Sequence, residues 1–532
     1  MKTLRNSTLS LLSFLFLSTQ ILAQSNAERK MIEVIDRNGP QKGEVIVGMV
    51  KNIIWPPLHT TNKVKVKPTP STVYDDLQAI SRPQRDELVA IVNDQITNPN
   101  NTGAQYQYWN TFGTILNRCD GGARIGRAYG DPHIQTFDGY KYDLQSVGEF
   151  VLCRSLDGNF EVQTRQAVVS EKVSMNSACA INMVGDHISV ETAPIPNMFN
   201  QIVTVNGEEV EFEQTYTTAR GVVIKKGAGH LSVLSPIGEK VLITPTNNGK
   251  YMSVVPTIIE GGNVEYEGLL GNADGNTSND LKVDGSILPA YPSFYTMEDL
   301  KNGGKISTST SVAEKANQKS IALEFGNYWR ITNETSLFSY GKGRDTEWYT
   351  DLSYPRVHAT ISDHDEASVK NAQKVCEKAG VSSGDMQGCM TDVLLTGDTK
   401  AAEYSTSIQN KKVVENLKIK NPILTVKPVE ATTKEIKAST KEIKKETAQK
   451  ERTEWIRNTQ SKPTNTTVVR TVAPTRTSIQ KPTYRPAPKP TSKPATRTVT
   501  KTPTRSVKRT PAPKPKPRPT SGTTSKKSTS KR

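Results

Sequence analysis

Gly130-Asp-Pro-His-Ile-Gln-Thr-Phe-Asp-Gly139 and, some 130 residues later, Gly268-Leu-Leu-Gly-Asn-Ala-Asp-Gly-Asn276 are the two stretches on which the reading of this chain turns. The first runs on into Tyr140-Lys-Tyr142 and Gly148-Glu-Phe-Val-Leu152, the second into Asn279-Asp280. On chemical grounds alone the second stretch suits a cation. Asn272, Asp274, Asn276, Asn279 and Asp280 crowd five oxygen-bearing side chains into nine residues, and Gly271 and Gly275 let the backbone turn tightly. Calcium takes about 6–8 oxygens in flexible geometry, so such a loop needs ligands from elsewhere in the chain. It is not an EF-hand. Counted from Asn272, glycine falls at the fourth position and Val283 stands where the bidentate glutamate belongs. An Asn/Asp/Gly-rich hairpin that holds no metal is the plainer alternative.

Outward from these stretches the sequence reads as short strands. His187-Ile-Ser-Val190, Gln201-Ile-Val-Thr-Val205, Gly221-Val-Val-Ile224 and Leu231-Ser-Val-Leu234 are rich in β-branched residues. Gly185-Asp186, Asn206-Gly207 and Asn248-Gly249 punctuate them. Asn-Gly tolerates the positive φ of a type I′ turn, which joins antiparallel neighbours. Several such strands predict a β-sandwich. After residue 365 the pattern changes, and Ala367–Lys378 and Asp385–Leu395 read as helices carrying one cysteine each. Upstream, Arg85–Ile96 has apolar residues at helical spacing behind Ser81-Arg-Pro83.

Together, the Gly-Asp-Pro-His and Thr-Phe-Asp-Gly segments and the later Gly-Leu-x-Gly-Asn-x-Asp-Gly-Asn segment resemble the von Willebrand factor type D family. The resemblance covers residues 115–345 and implies a mainly β fold, a β-sandwich with calcium between its first strand and the late loop. Carried over position by position, the ligands are Asp138, Asn272, Asp274, Asn279 and Asp280, with Asn276 giving its backbone carbonyl. Such an ion would clip residue 138 to residues 272–280 across a long loop, a structural role. Cys153 and Cys179 read as a disulfide joining neighbouring strands, and Cys376 and Cys389 as a second one. Residues 346–400 resemble the small helical C8-like module that often follows a type D domain. Two departures stand out. Phe150 and Leu270 occupy positions where the family commonly has a bridged pair of cysteines, so an apolar contact would have to replace the bridge. The Cys-x-x-Cys linked to covalent multimers in large members is missing.

The remaining chain frames this domain. Lys2 and Arg5 ahead of the apolar Leu9–Leu17, with Ala23 for cleavage, read as a signal peptide over 1–23, and thus as a secreted, extracellular protein. No later run is long enough for a membrane span. Residues 24–114 form a region of unassigned fold. Residues 401–460 read as a charged linker in which Thr433-Lys-Glu-Ile-Lys437 recurs at Thr440–Lys444. Residues 461–532 hold 19 Lys or Arg, no Asp or Glu and 13 of the 31 prolines, leaving 50 basic against 53 acidic residues before them. The overall charge of +16 therefore belongs to this tail. It reads as a disordered, extended arm suited to polyanionic polymers, glycans or extracellular matrix. A single tyrosine, Tyr484, argues against base stacking. Five cysteines leave one over. Cys119 is the odd one, either an intermolecular bridge or a reduced thiol.

These features predict a non-catalytic, calcium-stabilised structural or adhesive module. The six histidines form no His-Glu-x-x-His, and Gly-x-Ser-x-Gly does not occur, so a hydrolase has little support. The alternative is self-cleavage at Asp131-Pro132, with His133 moving the proton, since some family members break their chain within Gly-Asp-Pro-His.

Overall fold

The structure, a computed structural model, describes residues 25–56, 71–192, 201–291 and 293–409. The signal peptide, all but the start of the charged linker and the basic tail lie outside the described residues.

The region left unassigned by sequence is helical: α1 (Asn26–Asp36), α2 (Gly43–Ile54), α3 (Val73–Gln78), α4 (Arg82–Ile96) and α5 (Gly103–Arg118). Capping boxes start two of them, Ser25 with Glu28 and Thr72 with Asp75, and satisfy otherwise orphaned amides. Pro83 lies in the first turn of α4, where its missing N–H costs nothing. On α5, Tyr108, Phe112 and Ile115 recur at helical spacing and are fully buried, as is Trp109. The Tyr108 ring meets Trp55, Trp109 and Phe112 at centroid distances of 5.9, 4.8 and 6.1 Å.

These helices share one apolar core with the β-sandwich that follows. Arg118, the last residue of α5, is fully buried. Its Nη1 lies 2.6 Å from Glu239 Oε1 and donates to the Ile237 carbonyl at 2.9 Å, while Nη2 donates to the Tyr266 hydroxyl at 3.2 Å. The Tyr74 amide donates to the Pro236 carbonyl at 3.1 Å.

The sandwich starts with β1 (Ala123–Ile125), β2 (Arg127–Tyr129), β3 (His133–Gln135) and β4 (Lys141–Asp143). Longer strands follow: β5 (Gly148–Ser155), β6 (Phe160–Val168), β7 (Ser174–Met183) and β8 (Asp186–Thr192). Next come β9 (Gln201–Val205), β10 (Glu208–Glu209), β11 (Thr215–Thr217), β12 (Val223–Gly227) and β13 (His230–Leu234). β14 (Lys240–Thr246), β15 (Tyr251–Ile259), β16 (Tyr266–Glu267), β17 (Lys282–Val283) and β18 (Ser286–Ile287) complete the set. One antiparallel sheet runs β11-β12-β13-β14-β15-β2-β3-β4, with β1 also on β15, and the other runs β10-β9-β8-β7-β6-β5-β16. β15 lies against β7 between the sheets. Every residue of β15 is buried, as its nearly continuous apolar sequence requires of a strand covered on both faces.

Two short helices, α6 (Met297–Lys301) and α7 (Thr308–Ser320), lead into a return segment. It lays Trp329 and Ile331 along β5 through the Val151 amide to Trp329 carbonyl (2.8 Å) and the Ile331 amide to Glu149 carbonyl (3.1 Å). A helical module closes the described chain: α8 (Glu366–Lys378), α9 (Met386–Thr396) and α10 (Ala402–Gln409). Asp365 caps α8 by accepting the Ser368 amide at 2.9 Å. Cys376 and Cys389 join α8 to α9 in a disulfide. The module's core includes Val173, Met175 and Tyr251 of the sandwich, and α10 covers β14, β15 and β2.

The structure corrects one expectation for cysteine and favours the reduced thiol of the two alternatives for Cys119. Cys153 and Cys179 are unpaired and buried. Cys153 faces Val162 on β6 and Cys179 faces Thr164 on the other edge of the same strand, so β6 stands between them. Two strand spacings, about 9–10 Å, exceed what a disulfide spans. Cys119 is buried as a free thiol. It is 5% exposed, its Sγ donates to the Ile115 carbonyl at 3.3 Å, and burial pushes its thiol up to about 12. Phe150 and Leu270 are both fully buried. Phe150 packs under the Arg330 guanidinium (4.6 Å), whereas Leu270 bonds through its backbone to Phe137 and Leu152.

Candidate functional site

The first cluster surrounds Asp138, in the β3–β4 turn. Its side chain is fully buried, with Oδ1 held by Arg124 Nη1 at 2.5 Å, and Arg124 also reaches Glu260 Oε1 at 2.5 Å. From the late loop, Asp280 Oδ2 accepts the Thr136 hydroxyl at 2.7 Å, which fixes the loop against the turn. Asp274 organises the loop from within. Its Oδ2 accepts Asn272 Nδ2 (2.9 Å) and Asn279 Nδ2 (2.7 Å), and its Oδ1 accepts the Asn276 amide (2.8 Å). These bonds, that from Asn279 foremost, hold the Asp274 carboxyl below its ordinary value.

Donating both amide nitrogens to Asp274 turns the two amide oxygens the other way. Asp138 Oδ2, Asn272 Oδ1, Asn279 Oδ1 and Asp280 Oδ1 are all buried and have no hydrogen-bond partner. Burial, helped by the neighbouring Asp138 and Asp274, pushes the Asp280 carboxyl up to about 6. Four buried oxygens without donors are costly unless something positive satisfies them. Their chemistry, two carboxylate and two amide oxygens, is that of a calcium shell. The side chain of Asn276 is turned away, accepting the Ser278 amide (3.1 Å) and hydroxyl (2.7 Å). Gly271, at φ +76°, is required here, since a Cβ would come within 2.1 Å of Asp280 Oδ1.

The second cluster is the Gly-Asp-Pro-His turn between β2 and β3. Strand register places His133 opposite Asp143, and His133 Nδ1 lies 2.6 Å from Asp143 Oδ1. His133 Nε2 is 2.8 Å from Asp131 Oδ1 and 3.4 Å from Asp392 Oδ2. Asp392 comes from α9, and its Oδ1 accepts the Asp131 amide at 2.9 Å. Gly130 sits at φ +60°, and a Cβ there would lie 2.6 Å from Asp392 Oδ2. One helical turn before Asp392, Gly388 lies under the imidazole, where a Cβ would come within 3.1–3.2 Å of the ring. Burial raises the Asp131 carboxyl well above its ordinary value against the pull of His133. Burial disfavours the imidazolium of His133, but Asp131, Asp392 and Asp143 outweigh it and raise its pKa. Gln145 Nε2 donates to the Asp131 carbonyl at 2.5 Å.

Sequence reasoning named Asp131, His133 and the 272–280 oxygens but missed Asp143, Gln145, Arg124 and the part Asp392 plays. Asp143 was within reach, because a short turn pairs His133 with it. Asp392 was not, because its partner lies 261 residues away.

The sequence profile described as von Willebrand factor type D domain matches residues 126–284. Human Sushi domain-containing protein 2 is 24% identical over 285 residues, 52% of this chain and 31% of that protein. Rat SCO-spondin is 27% identical over 185 residues, 35% of this chain and 3% of that protein. The chain thus spans about a third or less of these relatives. Residues 126–284 of this chain are a von Willebrand factor type D domain, followed by helices that carry one disulfide.

Proposed function

We propose that this type D protein is a secreted, non-catalytic structural or adhesive module, clipped by calcium and contacting polyanionic polymers, glycans or matrix through residues 461–532. The observation that carries the reading is the set of four buried, partnerless oxygens on Asp138, Asn272, Asn279 and Asp280. Asp138, Asn272, Asn279 and Asp280 would hold the ion and Asp274 would orient the two amides, while the Asn276 carbonyl, which accepts the Asn279 amide at 3.3 Å, would offer its second lone pair. The ion supplies positive charge to the oxygens and nothing reactive. It ties the β3–β4 turn to the late loop, so the domain keeps its shape at extracellular calcium. Among the described residues no helix is long and apolar enough to cross a membrane. The tail lies outside the described residues, and its charge supports electrostatic contact. Thermal melting of the full mature chain tests the clip. Calcium at a hundredfold its Kd adds about 2.7 kcal/mol, and Asp138→Asn abolishes the shift. Identical melting in calcium and chelator would remove the ion from the account.

One observation favours a second reading, self-cleavage at Asp131-Pro132. Gln145 polarises the Asp131 carbonyl while His133 lies against the Asp131 carboxylate. The carboxylate oxygen would bond to its own carbonyl carbon, the bond to Pro132 nitrogen would break, and His133 would pass that nitrogen a proton. The resulting cyclic anhydride opens with water or an amine. Mass spectrometry of the chain held at pH 5–6 decides it, and an intact 131–132 bond would sink it.

A further inference from the structure

The Gly-Asp-Pro-His turn has polar atoms that no hydrogen bond satisfies. Asp131 Oδ1 and Oδ2, His133 Nε2 and Asp392 Oδ2 are buried without a hydrogen-bond partner. Asp131 Oδ1 lies 2.8 Å from Nε2, and Asp392 Oδ2, from α9, approaches the same nitrogen to 3.4 Å.

The separations fit ligands around a common centre. Ligands about 2.0–2.1 Å from one ion stand about 2.9 Å apart at a right angle and about 3.3–3.4 Å apart at the tetrahedral angle. The two nitrogen–oxygen separations here are 2.8 and 3.4 Å, and one ligand atom from each of the three residues lies within 4.8 Å of the others. Among the described residues this is the one group of three His, Cys, Asp or Glu that converges so closely. The other ring nitrogen is held by Asp143 at 2.6 Å, the carboxylate–histidine support that fixes tautomer and ring orientation at metal sites. Asp392 is in turn held by the Asp131 amide. Two carboxylates and a neutral imidazole balance a divalent charge and suit a borderline ion better than calcium. A cleft of about 520 Å³, lined by Asp143, Gly388 and Asp385, reaches His133.

We propose that Asp131, His133 and Asp392 bind one divalent transition-metal ion of the zinc or manganese kind, which fastens α9 to the Gly-Asp-Pro-His turn. The site is distinct from the calcium cluster and does not depend on it. An ion there also occupies the carboxylate that self-cleavage needs, so bound metal holds the 131–132 bond intact.

The test uses the untagged full chain, stripped by chelator and returned to saturating calcium so that the Asp138 loop is filled. Zinc chloride or manganese chloride is then titrated, and bound metal is counted by plasma mass spectrometry. One equivalent is expected in the wild type and in Asp138→Asn, binding about 10–100-fold weaker in Asp143→Asn, and none in His133→Gln. Should His133→Gln fail to fold, the wild type decides alone. Bound manganese must show an electron-spin-echo nitrogen modulation from one imidazole, which an all-oxygen loop cannot give. Uptake of neither ion, undiminished uptake by folded His133→Gln, or a manganese signal without nitrogen coupling each overturns the proposal and leaves a buried imidazolium between carboxylates.

Discussion

Replacing Arg118 by methionine should cut the helical region loose from the sandwich. The guanidinium has no solvent exposure and its partner Glu239 is 1% exposed, so screening cannot soften the loss. Methionine fills much of the volume but removes the 2.6 Å ion pair and the bonds to the Ile237 carbonyl and the Tyr266 hydroxyl. Glu239 is left buried without its charged partner, keeping the Tyr266 hydroxyl at 3.4 Å. Removing one partner of such a pair costs about 3–5 kcal/mol, while replacing both by apolar residues is often close to neutral. Arg118→Met and Glu239→Leu should each lose that amount, and the double variant should recover most of it. Urea unfolding of the full chain, followed by tryptophan emission from the buried Trp109, reads the effect. Single variants losing under about 1 kcal/mol, or a double variant losing the sum, would refute a coupled buried pair.

Other outcomes follow from the same geometry. Glu314, 5% exposed and hydrogen-bonded by the Tyr295 hydroxyl at 2.8 Å, is held up to about 7 by burial. Its folded form keeps a proton that the unfolded chain releases near pH 4.5. The stability it adds is thus full below that pH and lost as pH rises to about 7, by at most about 1.4 kcal/mol per unit. Glu314→Gln should flatten the melting profile between pH 5 and 7 in part, leaving the slope due to Asp76 and Asp280, both held near 6 by burial. Thiol titration should find no reactive cysteine in the native chain and three after unfolding without reductant; a count of one would restore the Cys153–Cys179 bridge. Gly271→Ala should remove the calcium-dependent melting shift, because its Cβ displaces Asp280, and an unchanged shift would place the ion elsewhere.

Short-range chemistry made much of the sandwich legible. Asn206-Gly207 does turn β9 into β10, with φ of +51° and +83°, and Gln201–Val205 forms β9 as its β-branched residues require. The cysteines show where that reasoning stops. Nothing in the spacing of Cys153 and Cys179 says that β6 lies between their strands, because sheet order is a property of the whole core. The helices before residue 119 were half visible: Arg85–Ile96 had the period, but their docking rests on Arg118 meeting a glutamate far along the chain. At the site, the loop oxygens announced themselves by composition. Which of them stay unpaired depends on Asp274 taking both amide nitrogens, a geometry that no residue count contains.

The grip of α9 on the Gly-Asp-Pro-His turn bears on what a broken chain would look like. Asp131 is held on one side of the scissile bond by Asp392 and Gln145, and on the other side the Pro132 carbonyl accepts the Leu144 amide at 3.1 Å. β2 and β3 stay paired whichever piece they belong to. Two fragments cut there would therefore travel as one particle through any native separation, and the cut would be seen only once the protein was denatured.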